Sequence, residues 1–263
     1  MANFGYTAGN GTEDNIVAAK PAGAKYVDAV AGFDLWAIKA LLRKTASGTA
    51  LVTAGVYSQV ANVPHDRLVD SNEQSVVYHA TEFTSYTFAL DALLSVDALQ
   101  NIWLVLHTDS IVRYKYASPD PCFGELFTAD AQTYVSGATP AVLTADVDDV
   151  YGETTENIYG VGLYRPGSLT ATRNGSQIDL SWTCFTDADR TGYDLYRKVD
   201  NGAYESFSTP ALDATTATDD TITAGHSYQY EIRAKTAANQ GTFVVSGTVG
   251  GSGGGRLLTL GAG

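Results

Sequence analysis

Charge is scarce in this chain. Only 17% of its 263 residues are Asp, Glu, Lys or Arg, and 29 acidic residues outnumber 16 basic ones, for a formal charge of −13. Up to Arg165 there are 9 basic and 19 acidic residues, and beyond it 7 and 10, so the acidic surplus is mostly N-terminal. No basic stripe is present that could release counterions from a phosphate backbone, which argues against nucleic acid as a partner. Cysteine occurs only at Cys122 and Cys184. One falls in each half of the chain. The expectation is that Cys184 packs as a small hydrophobe and Cys122 is a loop thiol, a bridge between the halves being the alternative. No apolar run reaches the length of a membrane span, so no membrane insertion is expected. The opening Met-Ala-Asn-Phe-Gly-Tyr lacks the basic start and apolar core of a secretory signal. That leaves the expectation of an intact reading frame whose product leaves the cell by lysis, inside an assembled particle.

Catalytic patterns are equally sparse. His65, His79, His107 and His226 form no His-x-x-x-His or Glu-x-x-His pair, and no cysteine stands at ligand spacing from them. There is no nucleophile elbow, phosphate loop or Cys-x-x-Cys. Asp146, Asp148 and Asp149 make an acidic knot, and Asp219-Asp220 a smaller one, whose oxygens suit a loop calcium. Neither has the spacing of an EF-hand, so solvated acidic loops are expected and no cofactor beyond a structural calcium. A glycosidase would need two carboxylates set across a cleft. The chain before residue 166 is short for a complete hydrolase of that kind, and no enzymatic activity is expected.

What the chain does contain is alternation. Aromatic residues make up 11%, with 16 tyrosines and a single methionine, a composition that suits β-rich extracellular or virion proteins. In Ser176–Thr183, Ile178, Leu180 and Trp182 fall on one side and Gln177, Asp179 and Ser181 on the other, the signature of a half-buried strand. Thr191-Gly-Tyr-Asp-Leu-Tyr-Arg197 reads as a second strand. Ser227–Ala234 is a third, with Tyr228, Tyr230, Ile232 and Ala234 on one face. These are the inner strands of a sandwich.

Pro166, Leu169/Ala171, Trp182, the Tyr193-Asp-Leu-Tyr-Arg197 strand and Ile222-Thr-Ala-Gly-His-Ser-Tyr228 together resemble a fibronectin type III module, over about a third of the chain. The resemblance implies an immunoglobulin-like sandwich with Trp182, Tyr193 and Tyr228 in its core. It further implies that Tyr228 is the tyrosine-corner residue, its hydroxyl bonded back to nearby backbone. Ala224 stands where that family usually has proline. Such sandwiches are generic spacers and binding scaffolds, so the resemblance speaks to fold more than to function.

Residues 24–165 read as a separate all-β unit. Phe33–Lys44 is assigned a strand, with Trp36, Ile38, Ala40 and Leu42 on one face, although its Ala and Leu content would also serve a helix. Leu51–Tyr57, Ser75–Ala80, Phe83–Leu90, Ala141–Leu143 and Ile158–Tyr164 are further strands. Ile102–His107, apolar on both faces around Trp103, is a central one. Ile111–Tyr116 follows after so short a turn that it is expected to pair with it. Residues 58–74 are read as a polar excursion. With no helical crossover, a jelly-roll-like sandwich is expected. The segments Trp36–Lys44, Gly55-Val-Tyr57, Tyr86-Thr-Phe88 and Ile102-Trp-Leu-Val-Leu106 resemble the carbohydrate-binding-like sandwich domains of phage structural and bacterial surface proteins.

The expected organisation is thus an extended N-terminal arm over residues 1–23, the jelly-roll-like sandwich over 24–165, the fibronectin-like sandwich over 166–249, and a glycine-rich tail over 250–263. The arm carries Phe4 and Tyr6. The tail ends in the apolar Leu257, Leu258 and Leu260 behind a flexible glycine tether. Both ends suit docking onto neighbouring subunits, for instance by adding a strand to an exposed sheet edge, a floppy end being the alternative. The functional expectation is a non-enzymatic virion component of the tail, fibre or capsid-decoration kind, partnered by copies of itself and other virion proteins. The alternative is a carbohydrate-binding or adhesive module that meets a surface glycan.

Overall fold

Alternation along the chain becomes strand wherever the structure describes it. The structure is a computed structural model; it describes residues 2–4, 12–16, 22–26, 32–60, 63–116, 126–128, 150–151, 158–185 and 190–250. No helix occurs among them, and the protein is all-β. Two units divide the chain, Met1–Leu163 and Tyr164–Gly263.

The first unit contains β1 (Ala2–Phe4), β2 (Thr12–Ile16), β3 (Ala22–Tyr26), β4 (Phe33–Arg43), β5 (Thr49–Val60), β6 (Val63–Asp70) and β7 (Gln74–Val77). It continues with β8 (Thr84–Val96), β9 (Ile102–Thr108), β10 (Val112–Tyr116), β11 (Leu126–Thr128), β12 (Val150–Tyr151) and β13 (Ile158–Tyr164). One sheet runs β1-β13-β4-β10-β2 with β8 also on β4; the other runs β12-β11-β3-β9-β5-β6 with β7 also on β5. The two sheets meet along β8, whose Leu90 bridges Ser71 just after β6 and whose Ala89 carbonyl accepts from the Asn72 amide, and β2 lies near β9. The result is a sandwich whose chain repeatedly changes layer, as in a jelly roll. All seven residues of β9 are buried, Trp103 completely, and Ala54 and Val56 of β5 beside it are equally enclosed.

Four features depart from the expected first unit. Within the arm expected over residues 1–23, the described residues are strands: β1 pairs antiparallel with β13 and β2 with β10. Main-chain pairing covers strands that would otherwise be left with open edges, and the short β1 and β2 segments do this without any apolar alternation to announce it. The excursion over 58–74 is largely β6, joined to β5 through register shifts that its proline and mixed polarity disguise. β10 does not pair with β9. It joins β4 and β2 in the opposite layer, so the turn at Thr108–Ser110 is a crossing between sheets and not a hairpin. Finally, Trp36 is only half-buried, while Ile38, Ala40 and Leu42 of the same face are fully enclosed. Pairing passes from Leu35↔Leu94 to Ala37↔Ala89, so β8 bulges out over Leu90–Leu93 opposite the tryptophan and withdraws its cover.

The second unit is made of β14 (Gly167–Asn174), β15 (Gln177–Thr183), β16 (Gly192–Val199), β17 (Tyr204–Ser208), β18 (Thr216–Asp219), β19 (Ser227–Lys235), β20 (Val244–Val245) and β21 (Val249–Gly250). They form a three-stranded sheet, β14-β15-β18, and a five-stranded sheet, β17-β16-β19-β20 with β21 also on β19. Leu169, Ile178, Leu180 and Trp182 from the first meet Tyr193, Leu195, Tyr230 and Ile232 from the second, all at 6% exposure or less. Trp182 and Tyr193 meet edge to face, 5.6 Å between centroids, a geometry that adds to the burial of both rings. The hydroxyl of Tyr228 accepts a 2.6 Å hydrogen bond from the Thr223 amide, closing the corner before β19. Gly192 is required sterically: a Cβ there would lie 2.8 Å from the Pro210 carbonyl oxygen.

A buried ionic network ties the two sheets together. Asp219, at the end of β18, is wholly enclosed. It accepts hydrogen bonds from Arg197 Nη1 of β16 at 2.9 Å, Tyr230 Oη of β19 at 2.7 Å and Thr221 Oγ1 at 2.7 Å. Burial opposes its charge, but the bonds from Tyr230, Thr221 and Arg197 outweigh that and hold the carboxyl below its ordinary value. Burial and the neighbouring Asp219 push the Tyr230 phenol well above its own.

A carboxyl with a lowered folded pKa contributes stability that is present above its unfolded value, here 3.8, and lost as pH falls through the lower folded one. Asp219→Asn is therefore expected to cost about 3 kcal/mol at neutral pH, because Arg197 loses its charged partner. It should also flatten the acid side of a urea-midpoint profile below roughly pH 5. Equal midpoints and equal acid slopes in the two proteins would show that the network carries no stability. Tyr228→Phe, which leaves the Thr223 amide without its acceptor, should cost about 1–2 kcal/mol in the same measurement.

Candidate functional site

Outward positions of a half-buried sheet are ordinarily small, polar or singly charged. Those of the five-stranded sheet set aromatic rings among their charges. In β16 the inward Tyr193 and Leu195 alternate with the outward Asp194, Tyr196 and Lys198; in β19 the outward residues are Gln229, Glu231, Arg233 and Lys235. The register sets Asp194 opposite Arg233, Tyr196 opposite Glu231, and Lys198 opposite Gln229. On the flanks, Tyr204 of β17 lies opposite Lys198, and Val245 of β20 opposite Glu231.

These side chains form a layered patch. Tyr196 and Phe243 meet edge to face at 5.3 Å. The Arg233 guanidinium lies over both rings, 4.5 Å from the Phe243 centroid and 5.8 Å from that of Tyr196. Lys198 sits over the Tyr204 ring at 5.6 Å. Beneath, Asp194 takes Arg233 Nε at 3.4 Å, Lys235 Nζ at 2.5 Å and Gln240 Nε2 at 3.3 Å, which fixes the arginine's tilt. Tyr196, Phe243, Tyr204 and Lys198 remain half-exposed, and Val245 is 48% exposed. Burial raises the Glu231 carboxyl against the opposing pull of Arg233. Burial and Glu231 likewise raise the Tyr204 phenol. Three cations against two carboxylates leave this face mildly positive on a chain of charge −13. Flat rings with ordered cations and an apolar flank can exclude water from, and adhere to, a partner surface that is apolar or acidic.

The side chains singled out in the sequence lie mostly elsewhere. Trp103, Trp182, Tyr193 and Tyr228 are core residues, and none reaches this face. Phe4 belongs to β1, opposite Gly160. Tyr6, Leu257, Leu258, Leu260, Cys122 and the acidic Asp146, Asp148 and Asp149 lie outside the described residues. Asp219, offered as a loop oxygen donor, is instead the buried partner of Arg197. Among the described residues no group of three or more His, Cys, Asp or Glu is placed to hold a metal. The histidines stay apart: His226 Nδ1 meets Asp200 at 2.6 Å, His65 is beside Asp66, His79 is 4.0 Å from Glu82, and His107 is buried in β9. Cys184 is half-buried and not a simple hydrophobe: Arg190 Nη2 and Tyr193 Oη both point at its sulfur, at 2.8 and 2.9 Å. The patch itself had one signal in the sequence, a tyrosine on the outward side of β16. Phe243, in a stretch without alternation, had none.

No known protein family matches the chain, and no curated protein sequence matches it. Among solved structures it is similar to a two-domain fibronectin type III segment of chicken tenascin, at 10% identity and a TM-score of 0.31, over 95% of this chain and 99% of that one. It is also similar to the kinase region of twitchin from C. elegans, at 18% identity and a TM-score of 0.29, over 36% of this chain. A third is pectate lyase Pel3 from Pectobacterium carotovorum, at 20% identity and a TM-score of 0.25, over 31% of this chain. The chain spans only 18% and 24% of the lengths of those last two. At such TM-scores the fibronectin-like character of the second unit rests on its own strand order and tyrosine corner. These similarities lend nothing to the phage and bacterial-surface resemblance of the first unit.

Arg233→Lys keeps the charge but removes the flat group that lies over Phe243 and Tyr196. It is expected to lower stability by about 0.5–1 kcal/mol, nearly as much as Arg233→Ala. A lysine variant indistinguishable from wild type in urea unfolding, beside a destabilised alanine variant, would reduce the patch to simple charge.

Proposed function

We propose that the chain is a non-enzymatic structural protein of a virus particle, a tail, fibre or capsid-decoration component that acts by association. The observation that carries this reading is the Tyr196–Arg233–Phe243 patch. Its half-exposed aromatic rings, ordered cations and apolar flank make a surface that gains free energy when covered, on a unit with its own complete core. The chain's many tyrosines, its low charge content and the absence of helix among its described residues fit a protein of a particle exterior. Its partners in this reading are copies of itself and other virion proteins, the mildly positive patch meeting acidic surfaces of which the chain itself is rich. Phe4, Tyr6 and the Leu257–Leu260 segment supply additional contacts.

A second reading, an adhesive module that meets surface glycans, is favoured by a separate feature, the hydroxyl-bearing outer face of the three-stranded sheet.

Association is measured by mass photometry of the purified chain and by its retention on sedimented particles. Wild type is expected to self-associate or co-sediment, and Phe243→Ala with Arg233→Glu to weaken this at least about tenfold, since such anchors carry 1–2 kcal/mol or more. A wild-type chain that stays monomeric at micromolar concentration and is absent from particles would overturn the proposal.

A further inference from the structure

The three-stranded sheet of the second unit presents a different outer face. Inward Leu169, Ile178, Leu180 and Trp182 alternate with outward threonine, serine and aspartate. The register aligns these outward residues across the strands. Thr170 lies opposite Ser181, which lies opposite Thr216; Thr172 lies opposite Asp179, which lies opposite Thr218. Two rows result, Thr-Ser-Thr and Thr-Asp-Thr, with neighbours about 4.8 Å apart across strands and the rows about 6.8 Å apart along them. The hydroxyl-bearing residues are exposed. They line a shallow depression of about 240 Å³ bounded by Thr172, Asp179, Ser181, Thr216 and Thr218, with Leu180 and Ala217.

Outward threonines are ordinary in strands. The treatment of Asp179 is less so. Asn174 Nδ2 donates to its Oδ2 at 2.8 Å, Gln177 Nε2 to its Oδ1 at 2.7 Å, and Thr218 Oγ1 to its Oδ1 at 3.4 Å. The bonds from Asn174 and Gln177 hold the carboxyl below its ordinary value although it stands at the surface. Gly175, with φ at +61°, makes the tight β14–β15 turn that brings the two amides onto one carboxylate. Three planar side chains thereby orient one another before any ligand arrives. With two donors on Oδ1 and one on Oδ2, the latter retains an acceptor site. The hydroxyls beside it can both donate and accept.

The chemistry of the depression selects its occupant. The ionised Asp179 repels anions. Its lining has no aromatic ring, and its one large apolar residue, Leu180, is buried on the inward face, so little apolar area is offered to a peptide. A ligand that presents several neutral hydroxyls matches an aligned set of hydroxyls around an oriented carboxylate, and the fixed partners lose little entropy on binding. We propose that this depression binds a neutral glycan, with Asp179 Oδ2 accepting one sugar hydroxyl and Thr172, Ser181, Thr216 and Thr218 exchanging hydrogen bonds with its neighbours. The proposal rests on the adhesive reading and is independent of particle assembly through the opposite sheet. Exposed hydrogen bonds are individually weak, so a single site has a dissociation constant around the millimolar range. Display of many copies multiplies such affinity without new contacts.

Saturation-transfer NMR on the full chain tests this with neutral hexose oligosaccharides and, beside them, sialylated ones. Saturation transfer to neutral oligosaccharides only is expected. Asp179→Asn should weaken binding at least about tenfold, and Thr216→Ala with Thr218→Ala should do the same from the other side of the depression. Glu82→Gln in the first unit should bind as wild type does. An Asp179→Asn protein with an unchanged melting midpoint shows that the loss is not one of folding. The inference is overturned if no neutral oligosaccharide receives saturation, if the sialylated ones bind as well, or if both the Asp179 and the threonine variants bind like wild type. Oligomer formation or particle retention that persists in Asp179→Asn while glycan binding is lost separates this site from the assembly patch.

Discussion

Asp219 is the constraint on which the second unit turns. A carboxylate with no exposure, held between Arg197 and Tyr230 of one sheet and the end of β18 in the other, is costly to bury and costlier to unpair. Its hydrogen bonds tolerate little sliding, since a shift of one residue would turn every inward side chain of the strand outward. With that register fixed, Trp182 meets Tyr193 in the core. The same alternation dictates what each sheet shows on its outside.

The two outer faces are chemically opposed. The five-stranded sheet carries rings and cations, with Arg233 laid over Phe243 and Tyr196 and anchored from below by Asp194. The three-stranded sheet carries hydroxyls around Asp179. In the two roles proposed, one face gains by excluding water, the other by exchanging hydrogen bonds with a ligand rich in hydroxyls. A sandwich that presents both can be attached to a partner on one side while the other stays open. That is a physical rationale for a displayed module, and it does not require the sandwich to perform any chemistry.

Strands with regular alternation were legible in the sequence. Ile178, Leu180 and Trp182, and Tyr228 through Ala234, announced their inward faces, and the corner turn before Tyr228 was readable from its Gly225. β9 was legible as a central strand because both of its faces are apolar. What escaped is governed by main-chain pairing and by distant partners. β1 and β2 complete sheets through backbone hydrogen bonds, which side-chain periodicity does not record. β6 hides behind Pro64 and register shifts. β10 changes layer after a turn whose length suits a hairpin equally well. Trp36 has the right parity for the core but stays half-buried where β8 bulges opposite it. Of the candidate site, the sequence offered one outward tyrosine; Phe243 joins it from residues distant in the chain, through a fold that must exist first.

The central claim is that the face bearing Tyr196, Arg233 and Phe243 is covered when the protein is in its working assembly. Lysine reactivity tests it most directly, because Lys198 and Lys235 both belong to that face. Reductive methylation, read by mass spectrometry, is compared between the isolated chain and the chain in the assembly proposed for it. Strong slowing at Lys198 and Lys235, with Lys39 of the first unit as the reference, is the predicted result. Equal rates at Lys198 and Lys235 in the two states would contradict the account.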